Sequence, residues 1–519
     1  MNKQAYNPYL PSWEYIPDGE PYVFGGEPDG QGNTNESGER VYVYGSHDRF
    51  GGGAFCLNDY VCWSASVCDL GNWRYEGVIY RREQDSRNKG NRQYLFAPDV
   101  QKGPDGRYYL YYVLNMSAVT SVAVCDTPAG EYQFYGHVRY PDGRIWGARR
   151  GEVNNFDPGV FMDDNGRVFL YTGFAPFGLF GALVKMRKRL FDGAYCVELE
   201  PDMLTIKSGP EMVVPGQALA RSTAYEGHAF FEASSMRKIN GRYYFVYSSE
   251  LSHELCYAVS DRPNGGFEYG GTLVSIGDLG LNGNKVALNY LGNTHGGLVE
   301  ICNQWYVFYH RQTNGHQYSR QACAERIEIR PDGSIRQAEI TSCGLNNGPL
   351  AATGVFEARI ACNLSSADGT CFSRFNKAKT VHPYFTQDCA DYVGEVDEVD
   401  YNMHSGNAGN AGNAVNAAHN SDRCQYIANM RNGAWAGYKY FAFTGDEKRI
   451  SVTVRCASAG KMVVSTSREG ATAAEIDIKA SANWQEFFAA LTIPQGTHAL
   501  YFKFAGDGKL DFRSFSISG

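Results

Sequence analysis

Along the first two thirds of the chain, apolar and polar positions repeat in one order: a turn, a basic or polar residue, then an aromatic-rich strand pattern. The copies read GERVYVYGSHD from Gly38, PDGRYYLYYVLN from Pro104, DNGRVFLYTGF from Asp164, INGRYYFVYSSE from Ile239 and CNQWYVFYHRQ from Cys302. Aligned on Arg40, Arg107, Arg167, Arg242 and Gln304, they are spaced by 67, 60, 75 and 62 residues. Each unit is long enough for four strands with loops, and Asp-Gly or Asn-Gly ahead of the strand signals a hairpin. No long amphipathic helical pattern interrupts them. Five similar all-β units predict a five-bladed β-propeller. Two packed β-sandwiches are the alternative, disfavoured because sandwiches do not usually repeat internally.

The repeat stops after TSCGLNNGPLAATG. Beyond it, RISVTVRCASAGKMVVSTS, AAEIDIKAS and WQEFFAALTIP alternate apolar and polar residues, as half-buried antiparallel strands do. The expected organisation is a propeller over 1–345 and a jelly-roll-like β-sandwich over 346–519. The sandwich carries a low-complexity Asn/Gly/Ala loop at about 403–421, with too few large apolar groups to pack.

Composition narrows the function. Aromatics make up 14% of the 519 residues, and there are 59 glycines. That mixture suits short strands and tight turns, and also stacking against sugar rings. A net charge of −8 without a basic cluster argues against nucleic-acid or anionic-membrane partners. No run of 18 apolar residues is present, and the N-terminus lacks an apolar signal segment, so a cytoplasmic location is expected. The 14 cysteines form no CxxC pair and are expected to be free thiols.

In each unit an ionisable residue precedes the aromatic strand: Asp18, Asp99, Asp157, Glu232 and His295, at 22, 8, 10, 10 and 9 residues from the aligned position. The first unit is longer because GGEPDGQGNTNESG is inserted. Equivalent positions on innermost propeller strands converge on one axis. Crowded, poorly solvated carboxylates raise the pKa of at least one of them, and a protonated group beside an ionised one can run acid/base chemistry near neutral pH. Capping of strands or loop amides is the alternative for any single one of these residues.

The ordered segments IPDGEPYVF, FAPDV, FDPGVFMDDNGRVFLYTG, FFEASSMRKINGRYYFVYSS and NTHGGLVEICNQWYVFYHR resemble glycoside hydrolase family 43, over roughly residues 5–345. The resemblance implies an inverting exo-acting hydrolase releasing terminal xylose and/or L-arabinofuranose from xylo- or arabino-oligosaccharides. It implies Asp18 as general base, Glu232 as general acid and Asp99 as the carboxylate that tunes and orients the acid. Inversion implies carboxyls of Asp18 and Glu232 roughly 6.5–9.5 Å apart. Asp157 would line the pocket or buttress a strand, and Arg311 would donate to sugar hydroxyls or to a carboxylate. Trp63 and Phe96, with Trp13, Phe24 and Phe174, are stacking candidates or core residues. His295 matches an axial histidine near a hydrated Ca²⁺, which it would meet through water; no other cofactor is implied. The base motif departs from the family's usual form, which makes Glu20 a fallback base.

YIANMRNGAWAGYKYF, the Trp484 region and LDFRSFSI resemble carbohydrate-binding module family 6. That implies sugar contacts from Trp435, Tyr438 and Trp484. The late asparagine of that family is replaced around Lys509, which leaves open a module that only packs on the propeller. Other readings are action on arabinan or galactan side chains, and a non-catalytic sugar-binding propeller. A retaining fructan-type hydrolase would need N-D-P-N-G, R-D-P and E-C motifs, where this chain has PDGEP, APDV and FEAS.

Overall fold

The computed structural model describes residues 4–25, 38–185, 189–371, 381–388 and 425–519. The low-complexity loop at about 403–421 lies outside them. The described chain is all-β, and its first part forms five consecutive antiparallel sheets. The first holds β1 (Glu20–Gly25), β2 (Glu39–Tyr44), β3 (Tyr60–Ser66) and β4 (Asp69–Tyr80). The second holds β5 (Leu95–Lys102), β6 (Tyr108–Leu114), β7 (Thr120–Cys125) and β8 (Gln133–His137). The third holds β9 (Gly159–Met162), β10 (Val168–Gly173), β11 (Gly193–Leu199) and β12 (Ile206–Pro215). The fourth holds β13 (Phe230–Ile239), β14 (Arg242–Ser249), β15 (Glu254–Ser260) and β16 (Glu268–Ser275). The fifth holds β17 (Leu298–Ile301), β18 (Gln304–Gln312) and β19 (Arg320–Arg326).

Every aromatic run of the repeat is the second strand of its sheet. These strands are buried on both faces, which is why they read as continuous apolar runs. The burial comes from sheet packing on sheet. Tyr44 and Leu110 share one apolar layer between the first and second sheets. Tyr111 and Leu170 share the next, then Tyr171 and Phe245, then Val246 and Leu298. A fifth layer joins Trp63 of β3 to Phe308 of β18, bringing the last sheet against the first. The N-terminal segment lies along β19: the Tyr9 amide donates to Ala322 O (3.3 Å), Asn7 Nδ2 to Ala324 O (2.8 Å), and the Ala324 amide to Asn7 Oδ1 (3.0 Å).

The remaining strands make two six-stranded sheets. They are β20 (Leu350–Ala351), β21 (Gly354–Glu357), β22 (Asn363–Ser365), β23 (Tyr384–Thr386), β24 (Tyr426–Met430), β25 (Trp435–Phe443), β26 (Arg449–Cys456), β27 (Gly460–Ser465), β28 (Thr472–Ile478), β29 (Ser481–Ala490), β30 (Gly496–Gly506) and β31 (Leu510–Ser518). One sheet runs β20-β25-β30-β27-β28 with β22 on β25, the other β23-β24-β31-β26-β29 with β21 on β31. A single apolar core including Phe441, Phe502, Phe512 and Phe515 serves both. The cysteines among the described residues are free thiols, seven of them buried.

Candidate active site

Because strands run antiparallel, the start of each first strand lies at the same end as the finish of its second: Glu20 pairs with Tyr44. Asp18 and Asp157 each sit two residues before a first strand, His295 sits three before, and Glu232 is the third residue of β13. At this level four sheets carry a residue in the left-handed region: Asp18 (φ 58°), Ala97 (27°), Asp157 (46°) and Ala233 (72°). Such backbone is strained for a residue with a Cβ and persists only where its surroundings enforce it. The ladder also skips here, between Phe96 and Asp99 and between Glu232 and Ser235.

Asp18 is 5% exposed and meets a buried cation. Arg320 Nη1 donates to Asp18 Oδ1 (2.9 Å), while its Nε and Nη2 donate to Asp48 Oδ2 (2.8 Å) and Oδ1 (3.0 Å). The Asp18 amide donates to His310 Nδ1 (3.1 Å), which makes that nitrogen an acceptor. Burial pushes the Asp18 carboxyl up, but Arg320 and its neighbours outweigh burial and hold it below its ordinary value. Burial drives His295 down to about 4 and His310 to about 3, so both imidazoles are neutral at pH 7 and the work falls to Arg320.

Asp157 takes the opposite course. Burial, then the charges of Glu232 and Asp18, push its carboxyl well above the ordinary range, although the Ala233 amide donates to it. His295 Nδ1 lies 3.6 Å from Asp157 Oδ2 and 3.8 Å from Asp18 Oδ1, between the two carboxylates. Glu232 is half-buried, with Phe230 wholly covered behind it. The geometry thus brings Asp18, Asp157, Glu232 and His295 together.

Asp99 is corrected. It lies two residues deeper along its strand than the site level, which Ala97 occupies. There it accepts from Tyr22 Oη (2.7 Å) and the amides of Val160 (2.7 Å) and Val100 (2.8 Å). Glu20, two residues beyond Asp18, shares this lower layer and accepts from Arg237 Nη2 (2.9 Å) and Ser235 Oγ (3.0 Å). Burial lifts Glu20 to about 8 and Asp99 to about 6 against the pull of Arg237. Glu20 is therefore no substitute base: it is committed to Arg237. The third carboxylate at the site is Asp157.

A wall of phenylalanines flanks the acid side. Phe96, Phe156 and Phe231 each immediately precede a site-level residue. Ring centroids run Phe96–Phe156 5.9 Å, Phe156–Phe174 5.0 Å and Phe174–Phe231 5.5 Å, with all four rings half-buried. Trp63 is corrected: it is 2% exposed, and its Nε1 donates to Glu14 Oε2 (2.7 Å) within the layer between the first and last sheets. Trp13 packs on it (5.8 Å), and Phe24 packs on Tyr108 (5.0 Å).

Arg311 is corrected as well. Its guanidinium donates to Ala361 O (2.5 Å) and Arg359 O (2.6 Å) and lies over the Phe385 ring, facing the C-terminal sheets. The cation at the site is Arg320, which sequence reading missed along with Asp48. For Asp48 a signal existed, because SHD, the polar tail that follows β2, returns to the site end.

In the C-terminal sheets, Tyr438 is 0% exposed and donates to Ala358 O (3.1 Å), so it is a core residue and no sugar contact. Trp484 is half-buried, packed on Tyr426 (5.1 Å) with the Arg455 guanidinium over its ring (4.5 Å). Trp435 is 5% exposed under the Arg468 guanidinium (4.9 Å), at the floor of a groove of about 390 Å³ that also has Tyr501 and Lys503.

The residues at the axis do not form a direct ligand set for Ca²⁺; a hydrated ion would meet His295 only through water. A hard cation asks for six to eight oxygens. Here His295 offers nitrogen, Asp18 is committed to Arg320, and a fixed guanidinium, Arg237, already faces the lower carboxylates.

A sequence profile for "Glycosyl hydrolases family 43" matches residues 33–335. A xylosidase/arabinosidase of Thermoclostridium stercorarium is 48% identical over all of this chain and 99% of its own length. A xylosidase/arabinosidase of Bacteroides ovatus is 28% identical over 63% of this chain and 96% of its own. The crystal structure of an exo-β-1,3-galactanase from Phanerochaete chrysosporium covers 100% of both chains with TM-score 0.50 at 11% identity, a likeness of fold alone. With the profile covering more than half its length and a near-half-identical relative along all of it, this chain belongs to glycosyl hydrolase family 43.

Proposed function

We propose that the chain is an inverting, exo-acting glycoside hydrolase that releases terminal xylose, L-arabinofuranose or both from xylo- and arabino-oligosaccharides. The observation that carries this is a split among neighbouring carboxyls: Asp18 is kept ionised by Arg320, while the Asp157–Glu232 pair is crowded enough to retain a proton. Two carboxyls with pKa values driven apart are what glycosidic bond cleavage requires. The relative named xylosidase/arabinosidase supports the choice of sugar.

In this reading Asp18 takes a proton from water as the oxygen attacks the anomeric carbon. Glu232 gives its proton to the departing oxygen as the glycosidic bond breaks. Asp157 holds the pair's pKa up, and the neutral His295 sits between the two sides. The phenylalanine wall offers an apolar surface to the C–H face of a pentose. Two carboxyls suffice, and no step runs through a metal.

The five sheets are read as blades of a five-bladed propeller over 1–345, a reading supported by the five shared apolar layers and by the N-terminal segment lying on the last sheet. The two later sheets are read as a β-sandwich over 346–519 resembling carbohydrate-binding module family 6, with the groove over Trp435 and Tyr501 as its candidate sugar surface.

Replacing Asp157 by Asn removes one member of the crowded pair, so that Glu232 no longer shares a proton with a neighbouring carboxyl. The alkaline limb of the kcat–pH profile moves to lower pH, and turnover near neutrality falls roughly 10- to 100-fold. Asp99→Asn, two residues deeper, leaves that limb in place. The reading as a whole is tested by a screen of aryl glycosides, with the first-formed sugar followed by NMR. Release of the inverted anomer from an aryl xyloside or arabinofuranoside supports it; a retained anomer, or no release, overturns it.

A further inference from the structure

Away from the axis, the fourth sheet gathers three residues that no step above uses. His228 lies just before β13, and Glu254 and Cys256 are the first and third residues of β15. Their potential ligand atoms all lie within 4.8 Å of one another, the one such grouping among the described residues. The separations are 2.7 Å from His228 Nδ1 to Glu254 Oε1, 3.4 Å from Cys256 Sγ to Glu254 Oε1 and 4.0 Å from Cys256 Sγ to His228 Nδ1. A tetrahedral ion with bonds of about 2.0–2.3 Å spaces its ligands by roughly 3.3–3.8 Å; the Cys256–Glu254 side matches, the Cys256–His228 side is slightly long, and the 2.7 Å His228–Glu254 contact has to open to admit the ion.

The surroundings resemble those of a ligand set. Ser249 Oγ donates to Glu254 Oε1 (2.7 Å) and Thr272 Oγ1 to Oε2 (3.1 Å), fixing the carboxylate from behind as outer hydrogen bonds fix metal ligands. Tyr269 stacks on the His228 ring (5.1 Å), holding its plane. Glu254 is 4% exposed and Cys256 0%, but the His228 side chain is 35% exposed, which gives an ion a way in and a place for water as fourth ligand. Thiolate, imidazole and carboxylate together select a borderline-soft divalent ion over Ca²⁺ or Mg²⁺.

We propose that His228, Glu254 and Cys256 form a binding site for a borderline-soft divalent cation of the zinc type, separate from the active site. Binding releases to solvent the Cys256 thiol proton and the proton that His228 Nδ1 donates to Glu254, the neutral imidazole keeping its hydrogen on Nε2; the freed sulfur and Nδ1 lone pairs turn to the ion, and nothing is oxidised or reduced. The full-length enzyme, stripped with chelator, is titrated with Co²⁺ and its ultraviolet–visible spectrum recorded. The expected result is a sulfur-to-cobalt charge-transfer band that saturates at a single equivalent and disappears on adding Zn²⁺. Cys256→Ser abolishes the band while activity on an aryl glycoside is kept, and His228→Gln weakens binding roughly 10- to 100-fold. Absence of the band in the wild type, or its survival in Cys256→Ser, overturns the proposal.

Discussion

Asp18→Asn lowers turnover on an aryl β-xyloside or arabinofuranoside by about 10²–10⁴-fold, the usual share of a general base, and leaves the fold intact. Asn is nearly isosteric and keeps an oxygen for Arg320 Nη1, while Asp48 still balances the guanidinium from its other edge. What disappears is the negative charge to which the proposed mechanism gives the proton of water. Turnover numbers and circular dichroism on the same preparation check this; near-normal turnover in a folded variant removes Asp18 from the reaction.

Arg320→Met is the variant with the largest effect on stability. Arg320, Asp18 and Asp48 are 2%, 5% and 1% exposed, so removing the cation strands two carboxylates away from water. Breaking a buried pair from one side costs about 3–5 kcal/mol, a large part of a typical domain's stability. Urea denaturation reads the loss. The double variant Arg320→Met with Asp48→Asn regains part of the stability, because one stranded charge is gone, but stays slow because Asp18 has lost the cation that keeps it ionised. The pH dependence has a definite sign. The folded Asp18 value is depressed, so its contribution is complete above the unfolded carboxyl value of about 3.9 and fades as pH falls through the lower folded value. The gap between wild type and variant therefore narrows in acid.

The repeat made the sheets legible because aromatic second strands are buried on both faces and lie behind turn signals. The site was legible only to the resolution of one pleat. Asp99 stood 8 residues from its aligned arginine where Asp157 and Glu232 stood 10. Two residues along a strand keep the side chain on the same face but shift it by roughly 6.6 Å, enough to carry Asp99 from the reaction level to Tyr22 and Arg237. Arg320 was illegible for a different reason: it meets Asp18 across 302 residues, and only the packing of last sheet on first brings them together. The C-terminal aromatics failed on facing. Tyr438 and Trp435 are on one strand and look alike in sequence, yet Tyr438 is in the core and Trp435 is under an arginine at a groove.

The seam between the early and late sheets is a permanent joint rather than a tether. Arg311 spends its guanidinium on the carbonyls of Ala361 and Arg359, Lys439 Nζ reaches Asp278 (3.1 Å) and Glu339 (2.9 Å), and the Asn314 amide donates to Phe385 O (2.7 Å). Asn314 lies six residues before Arg320. Trimming the gene to a minimal catalytic unit would thus unmake the support of the segment that carries the site's cation. The two halves of this enzyme are therefore to be expressed and engineered as one piece.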